Sequence, residues 1–209
     1  MKKLTILAAL IIMSASVFAQ SIEFGAKAGL NMATITKFDP VFAGDKNLTM
    51  RPGMYVGAFG EYIINDFFGI QGELLYSMMG AKQKQYPDME NINGGSVVSN
   101  LVNVTYKTDY IVLPILAKLY VAEKLSLDLG PQFGFMISAK MKETGAITRN
   151  ESYYVGNKSD VSFCMGLSYK LSSKFDISAR YNLGLTNLGL YDNYDSKNSV
   201  IQFGVGYRF

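Results

Sequence analysis

The sequence offers few residues that could perform catalysis. It contains no His and a single Cys, Cys164, so a Ser nucleophile would need an unusual base and transition metals would lack their commonest ligand. Glu61 and Glu73 could form a carboxylate pair, although carboxylates on a strand that faces a packed interior usually have a structural role. Asp192 and Asp195 could offer oxygen ligands to Ca²⁺, but no complete calcium-loop motif surrounds them. We therefore expect no enzyme, no cofactor and no metal site.

Ten charged residues occupy the polar positions of segments in which polar and apolar residues alternate. Five are acidic and five are basic: Glu23, Lys27, Glu61, Glu73, Lys118, Asp128, Lys170, Asp176, Arg180 and Arg208. If these positions face a common interior, the charges must pair, because an unpaired buried charge costs several kcal/mol. We expect a network of ion pairs that fills this interior.

The elements that would position these charges are β-strands. Residues 22–32 alternate without error, with Ile22, Phe24, Ala26, Ala28, Leu30 and Met32 on one face and Glu23, Gly25, Lys27, Gly29 and Asn31 on the other, as a strand with one polar side requires. Residues 201–209 repeat the pattern, and six further candidate strands lie near 53–64, 68–79, 108–121, 125–138, 160–171 and 174–185. Pro114 lies within one of them and predicts a bulge or local break, because proline donates no ladder hydrogen bond.

The connections between these strands alternate in length. Long segments lie at 33–52, 80–107, 139–159 and 186–199, whereas short ones lie at 65–66, 122–124 and 172–173. Long loops at one end and tight turns at the other are typical of bacterial outer-membrane barrels whose termini both face the periplasm. The sequence therefore predicts an all-β fold, an eight-stranded antiparallel up-and-down transmembrane β-barrel. Such a barrel is about wide enough for its own side chains.

Alternation alone does not distinguish a membrane barrel from a soluble one of the lipocalin type. The polar face favours the membrane, because it is rich in Gly and Ser and poor in charge, as suits a crowded interior. The apolar face carries aromatic residues near the short turns: Tyr62, Phe68, Tyr169, Phe175, Tyr207 and Phe209. These residues would form an interfacial girdle. Tyr207 and the terminal Phe209 also match the C-terminal signal of barrels folded by the outer-membrane assembly machinery.

The N-terminus predicts export. Lys2 and Lys3 precede an apolar run to Val17, and the sequence ending at Ala19 suits signal peptidase. We expect a signal peptide at residues 1–19 and one barrel domain at residues 20–209, without a transmembrane helix. Removal of two lysines would lower the formal net charge from +3 to +1, and with no basic run this argues against nucleic acid as a partner. The unpaired Cys164 is expected to be a small buried residue.

Three stretches resemble a known family. They are residues 72–77 (Gly-Glu-Leu-Leu-Tyr-Ser) with Gly80-Ala81-Lys82, residues 109–118 (Asp-Tyr-Ile-Val-Leu-Pro-Ile-Leu-Ala-Lys), and residues 179–187 (Ala-Arg-Tyr-Asn-Leu-Gly-Leu-Thr-Asn). Together they are similar to the outer-membrane β-barrel domain common in Bacteroidetes, often called PorT-like or porin-family. The resemblance implies the barrel fold and the bacterial outer membrane. The family often has an acidic residue at the position of Val112. With valine there, one interior ion pair that the resemblance implies would be absent.

The functional expectation is an integral outer-membrane protein with a structural or binding role and a lumen plugged by paired charges. A narrow porin-like channel for small solutes is an alternative. The namesake of the family implies a third interpretation, an accessory of a protein-secretion apparatus, although a shared domain does not transfer a role. Expected partners are outer-membrane lipid and the barrel assembly machinery, with the long loops open to an unidentified extracellular ligand. We expect a monomer.

Overall fold

The computed structural model describes residues 22–36, 48–92, 95–144, 148–152, 157–189 and 196–209. For residues 48, 84–92, 95–102 and 148–152 it describes the backbone alone. The expected signal peptide, and the candidate calcium ligands Asp192 and Asp195, lie outside the described residues. Within the described part of the chain, no helix is long and apolar enough to cross a membrane.

The described residues form nine β-strands, all paired in antiparallel fashion. They are β1 (Ile22–Thr36), β2 (Leu48–Asn65), β3 (Phe68–Ile92), β4 (Gly95–Ala122), β5 (Leu125–Thr144), β6 (Thr148–Ser152), β7 (Ser159–Lys170), β8 (Phe175–Gly184) and β9 (Lys197–Arg208). Eight of them close a ring in the order β1-β2-β3-β4-β5-β7-β8-β9, because β9 pairs back onto β1. The short β6 adds to β5 outside the ring. The predicted eight-stranded barrel is confirmed.

All three short connections lie at one end of the barrel. Two residues separate β2 from β3 and β4 from β5, and four separate β7 from β8. We call this the short-turn end; it also carries the start of β1 and the end of β9, and the opposite end is the long-loop end. The positions of the turns agree with the sequence prediction to within one or two residues.

The prediction of a loop at residues 80–107 is wrong. β3 and β4 continue to pair from Gly80↔Lys107 to Ile92↔Gly95, and we refer to residues 80–107 as the β3–β4 hairpin. Gly80 has a φ of 125°, so the backbone departs locally from strand geometry without ending the strand. Polar residues do not prevent a strand here, because the neighbouring strand supplies the backbone hydrogen bonds. Part of the expected loop at 139–159 is likewise strand, in β5 and β6.

Pro114 interrupts pairing without a bulge. The register of β3 with β4 passes from Gly72↔Ile115 to Leu75↔Val112 without a shift, and the two intervening pairs are missing from this described stretch. On its other side Pro114 stays in register with Gln132 of β5. The local break is therefore confirmed, whereas the bulge is not found.

The barrel is polar inside and apolar outside. On β1, Lys27 and Asn31 point inward and are 3% and 0% exposed, whereas Leu30 points outward and is 62% exposed. The same alternation runs along β5, β7, β8 and β9. Such a surface is the reverse of a soluble barrel, where the apolar face turns inward.

Interior glycines make room for large side chains from neighbouring strands. A Cβ at Gly29 of β1 would lie 2.7 Å from Cε1 of Tyr55, and one at Gly204 of β9 would overlap the Tyr55 hydroxyl. A Cβ at Gly206 would lie 2.7 Å from the Asp176 carboxylate. The polar face is therefore rich in glycine for a steric reason, since side chains from neighbouring strands pack directly against the backbone at these positions.

Candidate functional site

The inward positions of the strands bring the predicted charges together in the lumen, mainly toward the short-turn end. Nine of the ten predicted residues take part in ion pairs. The remaining one, Lys170, lies with its ammonium 5.5 Å from the centre of the Tyr120 ring. These charges form two clusters and one separate pair.

The first cluster is centred on Glu73 of β3. Arg180 of β8 binds it through both terminal nitrogens, with Nη1 2.9 Å from Oε2 and Nη2 2.8 Å from Oε1. Lys27 of β1 donates from Nζ to Oε1 at 3.1 Å, and Gln71 donates to the same oxygen at 2.5 Å. Glu73, Lys27 and Arg180 are all buried. One carboxylate therefore joins three strands and carries two cations.

The second cluster is centred on Arg208 of β9 at the short-turn end. Its Nη1 lies 2.6 Å from Asp176 Oδ2, its Nη2 lies 3.0 Å from Glu61 Oε2, and its Nε lies 2.8 Å from Glu23 Oε2. Glu61 also accepts a hydrogen bond from the Tyr120 hydroxyl. This cluster has more acidic than basic residues, whereas the cluster around Glu73 has more basic than acidic residues. With Lys170 included, the ten predicted residues carry equal numbers of positive and negative charges.

Lys118 of β4 and Asp128 of β5 form the separate pair. The Lys118 ammonium lies 3.3 Å from Asp128 Oδ1. The carboxylate also accepts hydrogen bonds from Ser126 at 2.8 Å and Ser168 at 2.5 Å. Its oxygens are thus held by one cation and two hydroxyls, which compensates for the cost of burying the charge.

A layer of amides crosses the lumen next to the ion pairs, and sequence reasoning missed it. Gln202 donates to Asn31 at 2.8 Å, Asn182 donates to Gln202 at 2.8 Å, and Asn31 donates to Ser77 at 2.9 Å. The alternation of each strand already places these residues inward, but uncharged amides carry no signal that they must pair with each other. Cys164 is fully buried, as expected for a small interior residue.

An apolar cluster lies in the lumen toward the long-loop end, beside buried polar residues such as Arg51, Asp160 and Asn198. This interior apolar cluster consists of Ala33, Ile35, Tyr55, Leu75, Met79, Ala81, Tyr110, Val112, Met136, Leu188 and Val200. Val112 therefore packs in an apolar cluster. The plug of charges predicted from the sequence accounts for one half of the lumen and leaves out the other.

Leu188 reaches the lumen from the fourth long connection. It is 1% exposed, its N–H donates to the Ser196 carbonyl at 2.8 Å, and its own carbonyl accepts from Asn157 N–H at 3.1 Å. The Asn187 side chain accepts hydrogen bonds from the N–H groups of Gly189 and Ser196. This backbone network holds Leu188 in the interior apolar cluster.

Asp160 is a buried carboxylate that sequence reasoning also missed. It is 3% exposed and accepts one hydrogen bond, from Asn198 Nδ2 at 3.2 Å. Its Oδ1 has no hydrogen-bond partner, and no ion pair joins it to a base among the described residues. Asp160 differs in this respect from the five acids of the two clusters and the separate pair.

In this interior, the charged side chains of the two clusters and of the separate pair bind one another. Among the described residues, no three His, Cys, Asp or Glu side chains lie close enough together to hold a metal ion. The oxygens of Glu73 and Asp128 are already engaged by donors from several strands. The arrangement stabilises a closed ring and fixes its register.

The outer surface forms an apolar belt with aromatic residues near the short turns. The rings of Phe175 and Tyr207 lie 5.1 Å apart, and those of Tyr207 and Phe209 lie 5.9 Å apart. Tyr62, Tyr169, Phe175 and Phe209 are exposed. An exposed apolar belt of this extent is stable only in contact with lipid.

Comparisons with known proteins agree with this geometry. The sequence profile of the outer membrane protein beta-barrel domain matches residues 18–189. Among solved structures, Ail, the attachment invasion locus protein of Yersinia pestis, is 19% identical, with a TM-score of 0.49 and coverage of 91% of this chain and 100% of that one. Neisserial surface protein A is 15% identical, with a TM-score of 0.52 and coverage of 89% and 97%. No curated protein matches the chain.

These likenesses to solved structures concern the fold alone, whereas the profile spans most of the chain and names its location. The polar, paired lumen and the apolar belt agree with that location. The chain is a protein of the bacterial outer membrane and belongs to the outer membrane protein beta-barrel domain family.

Proposed function

We propose that this protein is a non-conducting outer-membrane barrel whose role is structural or binding. The observation that carries this proposal is the filled lumen. Ion pairs and amides occupy the half near the short turns, and the interior apolar cluster with Leu188 lies in the other half beside buried polar residues such as Asp160 and Asn198. A continuous water path would need several of these layers to open together.

The binding element in this proposal is the β3–β4 hairpin. Among the described residues, pairing of β2 with β3 is seen as far as Leu48↔Gln83, and pairing of β4 with β5 as far as Asn103↔Thr144. Beyond these pairs the described backbone of β3 and β4 continues as a paired hairpin to Ile92↔Gly95, at the end that faces the cell exterior in barrels with short periplasmic turns. Recognition on such a barrel is expected in the segments that the rigid scaffold presents.

Planar-bilayer recording of the purified, refolded barrel tests the plugged lumen. We expect no stable unitary conductance for the native protein. Stable, ion-selective openings would instead support the alternative of a narrow solute channel. Triple replacement of Arg208, Glu61 and Asp176 by Ser would remove the second cluster and is the matched variant: even then we expect the interior apolar cluster to block steady current.

The binding role is tested by deletion of residues 84–102 with a two-residue turn in their place. The native barrel in nanodiscs is applied to arrays of glycans and of extracellular proteins, and any ligand should be lost on deletion. The variant should retain the heat-modifiable gel shift of a folded barrel, because the described lumen contacts are made by residues outside the deleted segment. A ligand retained in full by the folded deletion variant would contradict the assignment to the hairpin.

A finer placement in the PorT-like, Bacteroidetes group is also a proposal, supported by the residues 72–82, 109–118 and 179–187. Support for a role as an accessory of protein secretion would require that the gene lies beside genes for secretion and that its deletion causes a secretion defect. Deletion without any effect on secreted proteins would leave the structural or binding role as the proposal.

A further inference from the structure

A groove runs along the outer, lipid-facing surface of β7, β8, β9 and β1. Its volume is about 510 Å³, and its lining is almost wholly apolar. We place the low point of the groove on β8 at Ala179, because it carries the smallest outward side chain of that strand and lines the groove between Leu167 of β7 and Phe203 of β9. Ala28 of β1 continues the groove beside Val205.

The width of the groove limits the size of the group that can bind in it. Adjacent strands lie about 4.8 Å apart, so the backbones of β7 and β9 are separated by roughly 10 Å, and the side chains of Leu167 and Phe203 narrow this gap. An α-helix is about 10–12 Å across with its side chains and does not fit. A single hydrocarbon chain does. In a bilayer the gain comes from van der Waals packing, because lipid tails are as apolar as the groove.

Packing does not distinguish one lipid from another, so selectivity requires contacts with the headgroup. At the short-turn end, the groove residue Leu125 directly follows Lys124. The groove residue Tyr169 directly precedes Lys170, whose ammonium lies over the Tyr120 ring. The Lys170 N–H donates to the Lys124 carbonyl at 2.8 Å, which places the two strand ends side by side.

Lys124 and Lys174 together form a basic rim at the outer surface. Lys174 precedes β8, and its ammonium lies 5.8 Å from the centre of the outward-facing Tyr207 ring. Lys124 and Lys174 are exposed. Glu123 lies in the same turn as Lys124, and Asp176 is bound by Arg208 in the lumen, so the rim keeps an excess of positive charge.

We propose that this groove binds an anionic phospholipid of the periplasmic leaflet. One acyl chain lies over Ala179 and Ala28, and the phosphate lies against Lys124 and Lys174. The short-turn end faces the periplasm in outer-membrane barrels, which brings the basic rim to the level of these headgroups. The groove thereby makes one lipid class a specific ligand among those that surround the barrel.

Native mass spectrometry of the refolded full barrel tests the headgroup contacts. Phosphatidylglycerol and phosphatidylethanolamine with identical acyl chains are added in equal amounts, and we expect phosphatidylglycerol to be retained preferentially. A lysine near an anionic lipid surface strengthens binding by a factor of about five, so Lys124→Gln with Lys174→Gln should reduce the preference by about 25-fold. Lys158→Gln, at the long-loop end, is the matched control and should leave it unchanged.

Ala179→Phe tests the groove itself. The added ring fills the lowest point of the groove and should reduce retention of both lipids. Ala117→Phe makes the same change on the outward face of β4, away from the groove, and should have no such effect. The gel shift confirms folding of each variant. Equal retention of the two lipids by the native protein, or native retention by a folded Ala179→Phe variant, would overturn the proposal.

Discussion

At the scale of single residues, the lumen depends on carboxylates shared by several strands. Glu73 holds Arg180 and Lys27, which come from opposite ends of the chain sequence and from different strands. Breaking a buried pair costs more than the pair contributes, because the partner charge stays behind without compensation. Each such carboxylate therefore acts on the stability of the whole ring.

Replacement of Glu73 by Gln should lower the free energy of unfolding by about 3–5 kcal/mol, since two buried cations lose their counter-charge. Urea unfolding in lipid vesicles, followed by circular dichroism and by the gel shift, measures this change.

Asp160→Asn is the matched control. It also removes one buried carboxylate charge, but Asp160 has no ion pair with a base among the described residues. The loss of stability should be much smaller than for Glu73→Gln, or stability should increase. Equal losses for the two variants would contradict the view that charge pairing, rather than buried polarity in general, stabilises the lumen.

At the scale of the strands, glycines and aromatic residues fit against each other across the ring. Gly29 of β1 and Gly204 of β9 lie beneath the ring of Tyr55 from β2. The sequence shows glycines at inward positions but not the side chains that cover them. The contact between these glycines and the Tyr55 ring depends on the stagger of three strands. The alternation of polar and apolar residues along a single strand does not specify that stagger.

Gly204→Ala should destabilise the barrel by about 1–3 kcal/mol, as expected when a methyl group is forced into a filled interior. Unfolding in urea measures the loss. Gly72→Ala is the control, because a Cβ at Gly72 would meet nothing within 4 Å. Combining Gly204→Ala with Tyr55→Leu should reduce the penalty of the alanine. A penalty of the same size in both backgrounds would exclude steric overlap with Tyr55 as its cause.

At the scale of the whole molecule, β1 and β9 close the ring, and the last residue extends this seam. The Phe209 N–H donates to the Phe24 carbonyl at 3.1 Å, while its side chain is 82% exposed. An exposed ring contributes little to folded stability. We therefore propose that the Phe209 side chain acts in recognition by the assembly machinery, together with Tyr207.

Phe209→Ala should reduce the amount of barrel in the outer membrane of growing cells, because the assembly signal is weakened. The same variant should refold in vitro with nearly native stability. Phe67→Ala is the control, since Phe67 is 75% exposed in a short turn and lies outside the C-terminal signal. Quantitative immunoblotting of membrane fractions compares the two variants, and equal levels would argue against Phe209 as a recognition residue.

The sequence by itself determined which side chains face inward and which face lipid. Alternation is a local property of a strand, so Lys27, Glu73 and Arg180 could be assigned to one interior before any strand pairing was known. The short turns followed from the same segments. The interior apolar cluster was harder to predict, because Tyr110 and Val112 make both faces of β4 apolar and hide its alternation.

The tertiary structure alone decided which inward residues meet. Glu73 and Arg180 are 107 residues apart in the chain, and their contact depends on closure of the ring and on the stagger of strands around it. The same holds for Leu188, which reaches the lumen from a connection with no period of its own. The β3–β4 hairpin also required tertiary structure, since its strands are recognised by their pairing with each other.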